Sequence, residues 1–278
     1  MFARASGSGD GRVNGAFLAA ASGGAAALGL SLRFNWWRPK RPGTPILMYH
    51  QVGPHRPGSP LNRWRVTERD FDWQLDTLQR LGYRGVALRD LVASPEREPP
   101  PTAMRRVVLT FDDGYRGVKE RALPALLPRG FSATVFVVAD RVGGANDWDG
   151  ETPGEPLLSA DEIRELHDAG IEIGSHGATH RALTRLDDAD LAREVAGSRE
   201  TLERITGASV TSFCYPYGDF DDRVVEAVRA AGYRAATVIR GGISPDLSDP
   251  FRLKRVAVRG THMHLDFLLA LTRGRSRL

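Results

Sequence analysis

The sequence predicts an α/β fold, an irregular barrel of seven or eight parallel strands surrounded by helices. In four places a helical pattern ends in glycine and an apolar strand pattern follows at once, at Gly82, Gly130, Gly170 and Gly232. Glycine takes the left-handed conformation that ends a helix without steric cost, so these junctions indicate regular alternation of helix and strand. The length of 278 residues suits one large domain, and this many βα units favour a closed barrel over an open sheet.

Apolar runs of strand length mark where the strands should lie. They occupy residues 46–50, 83–88, 106–111, 131–138, 171–174, 209–216, 233–239 and 252–258. Between the first two runs, residues 53–66 are rich in proline and glycine and predict a loop. Thr67 then begins a helix, with acidic residues in its first turn and an apolar stripe at helical spacing that extends to Leu81.

Composition is that of a soluble globular protein, with 41% hydrophobic and 26% charged residues. The net charge is +4 and the pI is about 9.5, but the basic residues are scattered arginines. Without a clustered basic stripe the sequence predicts no nucleic-acid partner. Cys214 is the single cysteine, so no intrachain disulfide can form, and this leaves the cellular compartment open.

The N-terminal residues 1–44 predict a disordered leader that ends in a proline-rich linker, and the folded domain is expected over residues 45–278. Within the leader, residues 15–32 carry no charge and could form a signal or anchor segment. This run is mostly alanine and glycine, so its drive into a bilayer is marginal. The sequence therefore favours neither export to or anchoring in the bacterial envelope nor a cytoplasmic location. Peripheral or anchored membrane association stays open. The sequence does not indicate the oligomeric state.

Unusual polar residues follow several of the predicted strands, at the point where each strand ends. His50 ends the first strand, and Asp112 and Asp113 follow the strand 106–111. His176 and His180 follow the strand 171–174. The carboxyl ends of parallel barrel strands meet at one face, where active sites assemble. One such cluster alone would be explained as a turn, since Asp-Asp-Gly is common turn chemistry. Together, one carboxylate and two histidines suit a divalent metal with open positions, and the second carboxylate could act as a base.

The motifs resemble those of a known family. Thr-Phe-Asp-Asp-Gly at 110–114, Ser-His-Gly-Ala-Thr-His at 175–180 and Tyr-Pro-Tyr-Gly at 215–218 are similar to the polysaccharide deacetylases, the NodB-homology carbohydrate esterases of family 4. The resemblance runs from about Pro45 to His262, with the core motifs within residues 105–262. It implies a distorted (β/α) barrel that uses a divalent metal, usually zinc, to remove acyl groups from N-acetylated sugars.

Carried over residue by residue, the resemblance implies that Asp113, His176 and His180 bind the metal and that Asp112 is the general base. The backbone N–H of Tyr217 would stabilise the oxyanion of the tetrahedral intermediate. Zinc is expected, with Co²⁺ or Ni²⁺ as alternatives, because a site of two histidines and one aspartate accepts several divalent ions.

Two neighbouring residues complete the implied site. Tyr215 and Pro216 are expected to contact substrate, and Pro216 also fixes the local backbone.

The sequence departs from the common family pattern in three respects. Cys214 stands where an arginine is usual, two positions before the proline, and no Asp-x-x-Asp-Trp motif follows. The C-terminal Leu-x-His strand is also missing, but residues 46–50 resemble it moved to the N-terminus. Such an order is found in members that deacetylate bacterial exopolysaccharides such as poly-N-acetylglucosamine. We therefore expect His50 to be the general acid, with His262 and His264 as alternatives.

The predicted function is metal-dependent hydrolysis of N-acetyl groups from an N-acetylated glycan or a lipid-linked sugar, with metal-bound water as the nucleophile. Two alternatives are hydrolysis of another C–N bond, such as an N-formyl group or a non-sugar amide, and glycan binding by a pseudoenzyme. Residues 146–149 could form a lid that stacks on sugar or an ordinary acidic surface loop.

Overall fold

The computed structural model of the chain describes residues 34, 37–94, 104–150 and 154–275, and the predicted signal or anchor segment 15–32 lies outside them. Its strands are β1 (Ile46–Tyr49), β2 (Gln51–Val52), β3 (Arg65–Val66), β4 (Tyr83–Val86), β5 (Arg105–Phe111), β6 (Thr134–Val137), β7 (Glu172–Ser175), β8 (Ser212–Cys214), β9 (Ala235–Gly241) and β10 (Leu253–Ala257). Its α-helices are α1 (Glu68–Arg80), α2 (Leu88–Ala93), α3 (Leu123–Leu126), α4 (Ala160–Asp168), α5 (Asp188–Ala192), α6 (Ser198–Thr206), α7 (Asp222–Ala230) and α8 (His264–Arg273).

Seven parallel strands close into a barrel in the order β1-β10-β9-β8-β7-β6-β5, and the pairing of β1 with β5 completes the ring. The strand β4 pairs with the N-terminal half of β5. The predicted fold class is therefore confirmed, and each of the eight predicted strands is present. The two short strands β2 and β3, which pair with each other, were not predicted, and β3 lies within the predicted loop 53–66.

Alternation along the strands divides the core into two parts. On β5, Val107, Leu109 and Phe111 belong to the large cluster between the barrel and its helices. Val108 belongs to a second cluster, which includes Leu88 of α2 and apolar residues from β1, β6, β8, β9 and β10. The helix α2 thus closes the N-terminal end of the barrel. The polar residues that follow the strands lie at the opposite, C-terminal end.

A buried carboxyl group ties α2 to the barrel. Glu172, at the start of β7, accepts hydrogen bonds from the hydroxyls of Ser212 (2.6 Å) and Thr134 (2.8 Å) and from the backbone N–H of Arg89 (2.9 Å). Burial raises the pKa of Glu172, and these three donors offset only part of that effect.

The helix α1 forms as its sequence predicted. The Thr67 hydroxyl caps it by accepting the N–H of Asp70 at 3.2 Å, and Phe71, Leu75 and Leu78 are buried. Leu81, which the predicted stripe included, is 42% exposed because the helix ends at Arg80.

The predicted linker before β1 contacts the last helix. The N–H of Arg41 donates to the carbonyl of Thr272, and the Arg273 guanidinium donates to the carbonyl of Arg38. None of the helices formed by the described residues is both long and apolar enough to cross a membrane. Membrane anchoring through residues 15–32 stays a prediction.

Candidate metal centre and active site

The polar strand ends meet in one pocket at the C-terminal end of the barrel. Asp112 and Asp113 extend β5, His176 extends β7, and His50 extends β1. The pocket lining also includes Gln51, Leu61, Arg63, Trp64, Tyr115, Trp148, Asp149, His180, Tyr217 and Ile239. Parallel strands bring these positions together although they are far apart in the chain.

Asp113, His176 and His180 form a compact buried triad. The Nε2 atoms of His176 and His180 lie 3.4 and 3.3 Å from Asp113 Oδ1, and the three residues are 3 to 7% exposed. The His176 Nδ1 lies 2.7 Å from the carbonyl oxygen of Cys214, a bond that fixes the ring tautomer and leaves Nε2 for a ligand. These ligand atoms all lie within 4.8 Å of one another, so the donor set and its spacing fit a divalent ion such as zinc.

The backbone is strained at this site. The non-glycine residues with positive φ among the described residues are Asp113 (73°), His180 (64°) and Tyr217 (57°), and all three line the pocket. Left-handed backbone costs a non-glycine residue about 1–2 kcal/mol. Such strain clusters at functional sites, where surrounding structure holds it in place.

Glu194 holds the loop between the two histidines. This buried carboxylate accepts the backbone N–H groups of Ala178 (2.9 Å) and Thr179 (3.0 Å), and it also accepts the Thr179 hydroxyl. Glu194 was not predicted from the sequence, because nothing in its local pattern separates it from an ordinary helix residue.

Arg255 pairs with the second carboxylate. Its guanidinium donates to Asp112 Oδ1 at 2.6 Å and Oδ2 at 2.8 Å, and Arg255 is 0% exposed. The same group contacts Thr110 Oγ1 at 3.0 Å and Cys214 Sγ at 3.2 Å. An arginine is therefore present beside the predicted base, Asp112, although Cys214 occupies the position where the family usually has arginine.

This arginine comes from a different strand, which is why the motif comparison missed it. It lies on β10, where the register against β9 shifts between Lys254 and Arg255. The available signal was an arginine within a predicted strand, between the apolar residues Leu253 and Val256.

The ion pair sets the protonation state of Asp112. Burial alone would raise the pKa of this carboxyl, but the charge and hydrogen bonds of Arg255 outweigh burial and lower it. Asp112 is therefore ionised at neutral pH. Asp112, His176 and Cys214 also lie close enough to suggest a ligand set, but Arg255 already occupies both oxygens of Asp112.

His50 is the candidate acid that reaches the pocket. Its ring stacks on Trp64 with centroids 4.6 Å apart, and its buried Nδ1 has no hydrogen-bond partner among the described residues. His264 instead stacks on Trp73 at 3.7 Å, and neither His264 nor His262 lines the pocket. The geometry therefore favours His50 over both alternatives.

The structure corrects the expected substrate contacts of the third motif. Tyr217 lines the pocket and is 53% exposed. Tyr215 is 0% exposed, and its hydroxyl donates to the carbonyl of Phe251 at 3.0 Å. Pro216 is buried beside the 176–180 loop, within 3.5 Å of a Cβ built at Gly177. Tyr215 and Pro216 therefore shape the turn. Neither lines the pocket, although the sequence predicted that both would contact substrate.

These features define a class of protein before any comparison. A parallel barrel carries a carboxylate with two histidines and a second carboxylate paired with arginine, all at the carboxyl ends of its strands. This arrangement is typical of metal-assisted hydrolysis.

Comparison with known proteins gives the family. The model of the polysaccharide deacetylase family matches residues 100–236. YxkH of Bacillus subtilis strain 168, named as a candidate polysaccharide deacetylase, is 26% identical over 226 residues, 80% of this chain and 74% of YxkH. The crystal structure of BC0361, a polysaccharide deacetylase from Bacillus cereus, has a TM-score of 0.69 at 27% identity and covers 84% of this chain and 70% of that one.

A further relative is the poly-beta-1,6-N-acetyl-D-glucosamine N-deacetylase of Staphylococcus aureus, 22% identical over 185 residues. The match covers 63% of this chain and 61% of that relative. Residues 100–236 carry a polysaccharide deacetylase domain, as the motifs predicted, and the chain is an enzyme of that class.

Proposed function

We propose that this protein hydrolyses N-acetyl groups on an N-acetylated glycan, with a divalent metal held by Asp113, His176 and His180. The observation that carries this proposal is the shared pocket. It contains the buried triad together with Asp112, and Arg255 holds both oxygens of that second carboxylate. The Staphylococcus relative, whose name specifies an N-acetylglucosamine polymer, supports a glycan rather than a small amide as substrate.

The triad supplies a place for the metal and Asp112 supplies a base. When bound there, zinc would act as a Lewis acid that polarises the acetyl carbonyl and makes water more acidic. Asp112 accepts the proton of the attacking water, and its fork-like contact with Arg255 fixes the direction of both carboxylate oxygens.

The leaving amine needs a proton, and His50 would donate it. The ring lines the same pocket as Asp112 and is held against Trp64. Burial lowers the pKa of His50, while the charges of Asp113 and Asp112 act in the opposite direction. Proton donation from His50 is therefore expected to be favoured on the acidic side of neutrality.

The strained turn after β8 would stabilise the developing oxyanion. Tyr217 takes φ 57° and ψ 5°. The backbone N–H of Gly218 donates to the carbonyl oxygen of Tyr215 at 2.9 Å, and this bond closes the turn. A rigid turn keeps the Tyr217 N–H in a fixed direction, which suits an oxyanion donor.

The pocket walls suit a sugar ring. Trp64, Trp148 and Tyr217 line the pocket, and the two tryptophan rings stack on the His50 and His180 rings. Apolar walls with a few fixed polar groups are typical of ligand sites. The rival interpretations, another C–N bond or a glycan-binding pseudoenzyme, predict different outcomes in the following assay.

The test is acetate release from β-1,6- and β-1,4-linked N-acetylglucosamine oligomers by the full chain, stripped with chelator and then reloaded with zinc. We expect release only with metal, and a fall of roughly 10²–10⁴-fold in Asp112→Asn, the range of general-base catalysis. Bound zinc with release of formate from matched N-formylglucosamine oligomers, but no release of acetate from the N-acetyl oligomers, would favour the rival C–N bond. Stoichiometric zinc without turnover of any amide would favour the pseudoenzyme, and metal-independent release would contradict the proposal.

A further inference from the structure

The segment that contains Trp148 and Asp149 forms part of the pocket wall. The sequence left open whether residues 146–149 form a sugar-binding lid or a surface loop. In the structure both Trp148 and Asp149 line the pocket, and the Trp148 ring stacks on the His180 ring with centroids 4.5 Å apart. The segment thus contacts a member of the metal triad directly.

Asp149 is held in place by two buried donors. The Tyr115 hydroxyl donates to Asp149 Oδ2 at 2.9 Å, and the Asn146 side-chain amide donates to the same oxygen at 2.7 Å. Tyr115 and Asn146 are 3% and 4% exposed. The amide oxygen of Asn146 accepts the N–H of Glu155, which joins the segment to the returning chain. Asp149 is therefore a fixed group and not a mobile surface acid.

The other oxygen of this carboxylate is free. Both hydrogen bonds end on Oδ2, and within the described residues Oδ1 accepts no hydrogen bond and the carboxylate forms no ion pair. Asp147, two residues earlier, is instead paired with Arg141 at 2.8 Å and does not line the pocket. Because this oxygen has no donor from the protein and Asp149 lines the pocket, it is suited to a donor that arrives with a ligand.

Asp149 lies in the same pocket wall as Tyr217 and the triad. The rings of Trp148, next to Asp149 in the chain, and of Tyr217 both contact the His180 ring, each with centroids 4.5 Å apart. A substrate that reaches the triad therefore enters a pocket that Asp149 lines.

We propose that Asp149 is a substrate-binding residue whose free Oδ1 accepts a hydrogen bond from a hydroxyl group of the sugar that is deacetylated. The contact orients the ring so that its N-acetyl group, and not a hydroxyl, faces the triad. A hydroxyl is favoured over an ammonium group because a cationic sugar would be repelled by a divalent ion in the triad. This inference rests on the proposed deacetylase function and specifies how the glycan is recognised.

The test measures kcat/KM of the zinc-loaded full chain for Asp149→Asn, using N-acetylglucosamine oligomers and analogues that lack one hydroxyl of the target sugar. Asparagine can keep its oxygen toward Tyr115 and Asn146 while its NH₂ replaces the free oxygen. Because hydrogen bonds to charged groups contribute more than neutral ones, we expect a fall of about 10- to 100-fold on the intact oligomer. On one deoxy analogue the variant and the unsubstituted protein should be equal. Asp147→Asn is the matched control and should leave kcat/KM unchanged.

A binding measurement keeps this inference separate from the proposed function. Oligomer affinity is measured by tryptophan fluorescence in the non-hydrolysing Asp112→Asn background, with and without Asp149→Asn. Weaker binding in the double variant supports the hydroxyl contact even if no acetate is released. An equal loss in kcat/KM on every analogue, or tighter binding of glucosamine oligomers than of acetylated ones, would overturn it. Absence of both binding and turnover would overturn the inference together with the proposed function.

Discussion

Removing Arg255 tests how the barrel interior tolerates the charge of Asp112. In Arg255→Met the side chain keeps a similar length, but Asp112 loses both hydrogen bonds and its counter-ion in a site where both residues are at most 3% exposed. Breaking a buried pair by removing one partner costs about 3–5 kcal/mol, because an uncompensated charge remains. For a domain of this size each kcal/mol lowers Tm by about 2–4 °C, so we expect a fall of about 6–20 °C.

The double variant Asp112→Asn/Arg255→Met gives the decisive comparison. It removes both charges, so most of the lost stability should return, and the double-mutant cycle should show a coupling of about 3 kcal/mol. The assay is urea and thermal unfolding at a fixed, saturating zinc concentration, because a bound ligand itself shifts stability. Arg252→Met is the matched control. Arg252 pairs with Asp249 and Asp222 and is 35% exposed, so its loss should cost no more than about 1 kcal/mol. The charge-pair argument is wrong if Arg255→Met lowers the free energy of unfolding as little as this control does. It is also wrong if the losses measured for Asp112→Asn and Arg255→Met alone simply add in the double variant.

Three further predictions concern residues that support the barrel or the site. Because burial raises the pKa of Glu172 above its ordinary 4.5, the folded state binds more protons than the unfolded state, so stability should fall as pH rises from about 4.5 through the raised pKa. In thermal melts across this range Glu172→Gln should show a smaller decline, and an unchanged slope would contradict the assignment. Glu194→Ala should weaken zinc binding about 10- to 100-fold in chelator competition, as loss of a group supporting a ligand loop typically does, while Glu194→Gln should keep more of the affinity. An added Cβ at Gly174 would lie 2.6 Å from the Phe136 ring, whereas Gly241 has open space. Gly174→Ala should therefore cost about 1–3 kcal/mol in urea unfolding and Gly241→Ala much less, and equal losses would count against the packing explanation.

The barrel itself could be predicted because its signals are local. Four of the predicted strands follow a glycine that ends a helix, and all eight were placed from short apolar runs, which are local signals. The positions of Asp112, Asp113, His176 and His180 followed from the same reasoning, since the carboxyl ends of parallel strands share one face. The sequence also placed His50 at such an end, and the structure shows it in the same pocket.

Only the tertiary structure decided which groups support those residues. Arg255 and Asp112 are separated by 143 positions, and the ion pair depends on the closure of the barrel and on the register shift in β10. The roles of Glu194 and Asp149 depend in the same way on loops that approach the site from different parts of the chain. Tyr215 shows the converse, since its motif suggested contact with substrate and packing placed it in the core. Periodicity along a chain fixes which side of a strand a residue faces, but the partner it meets there is set by how distant segments pack together.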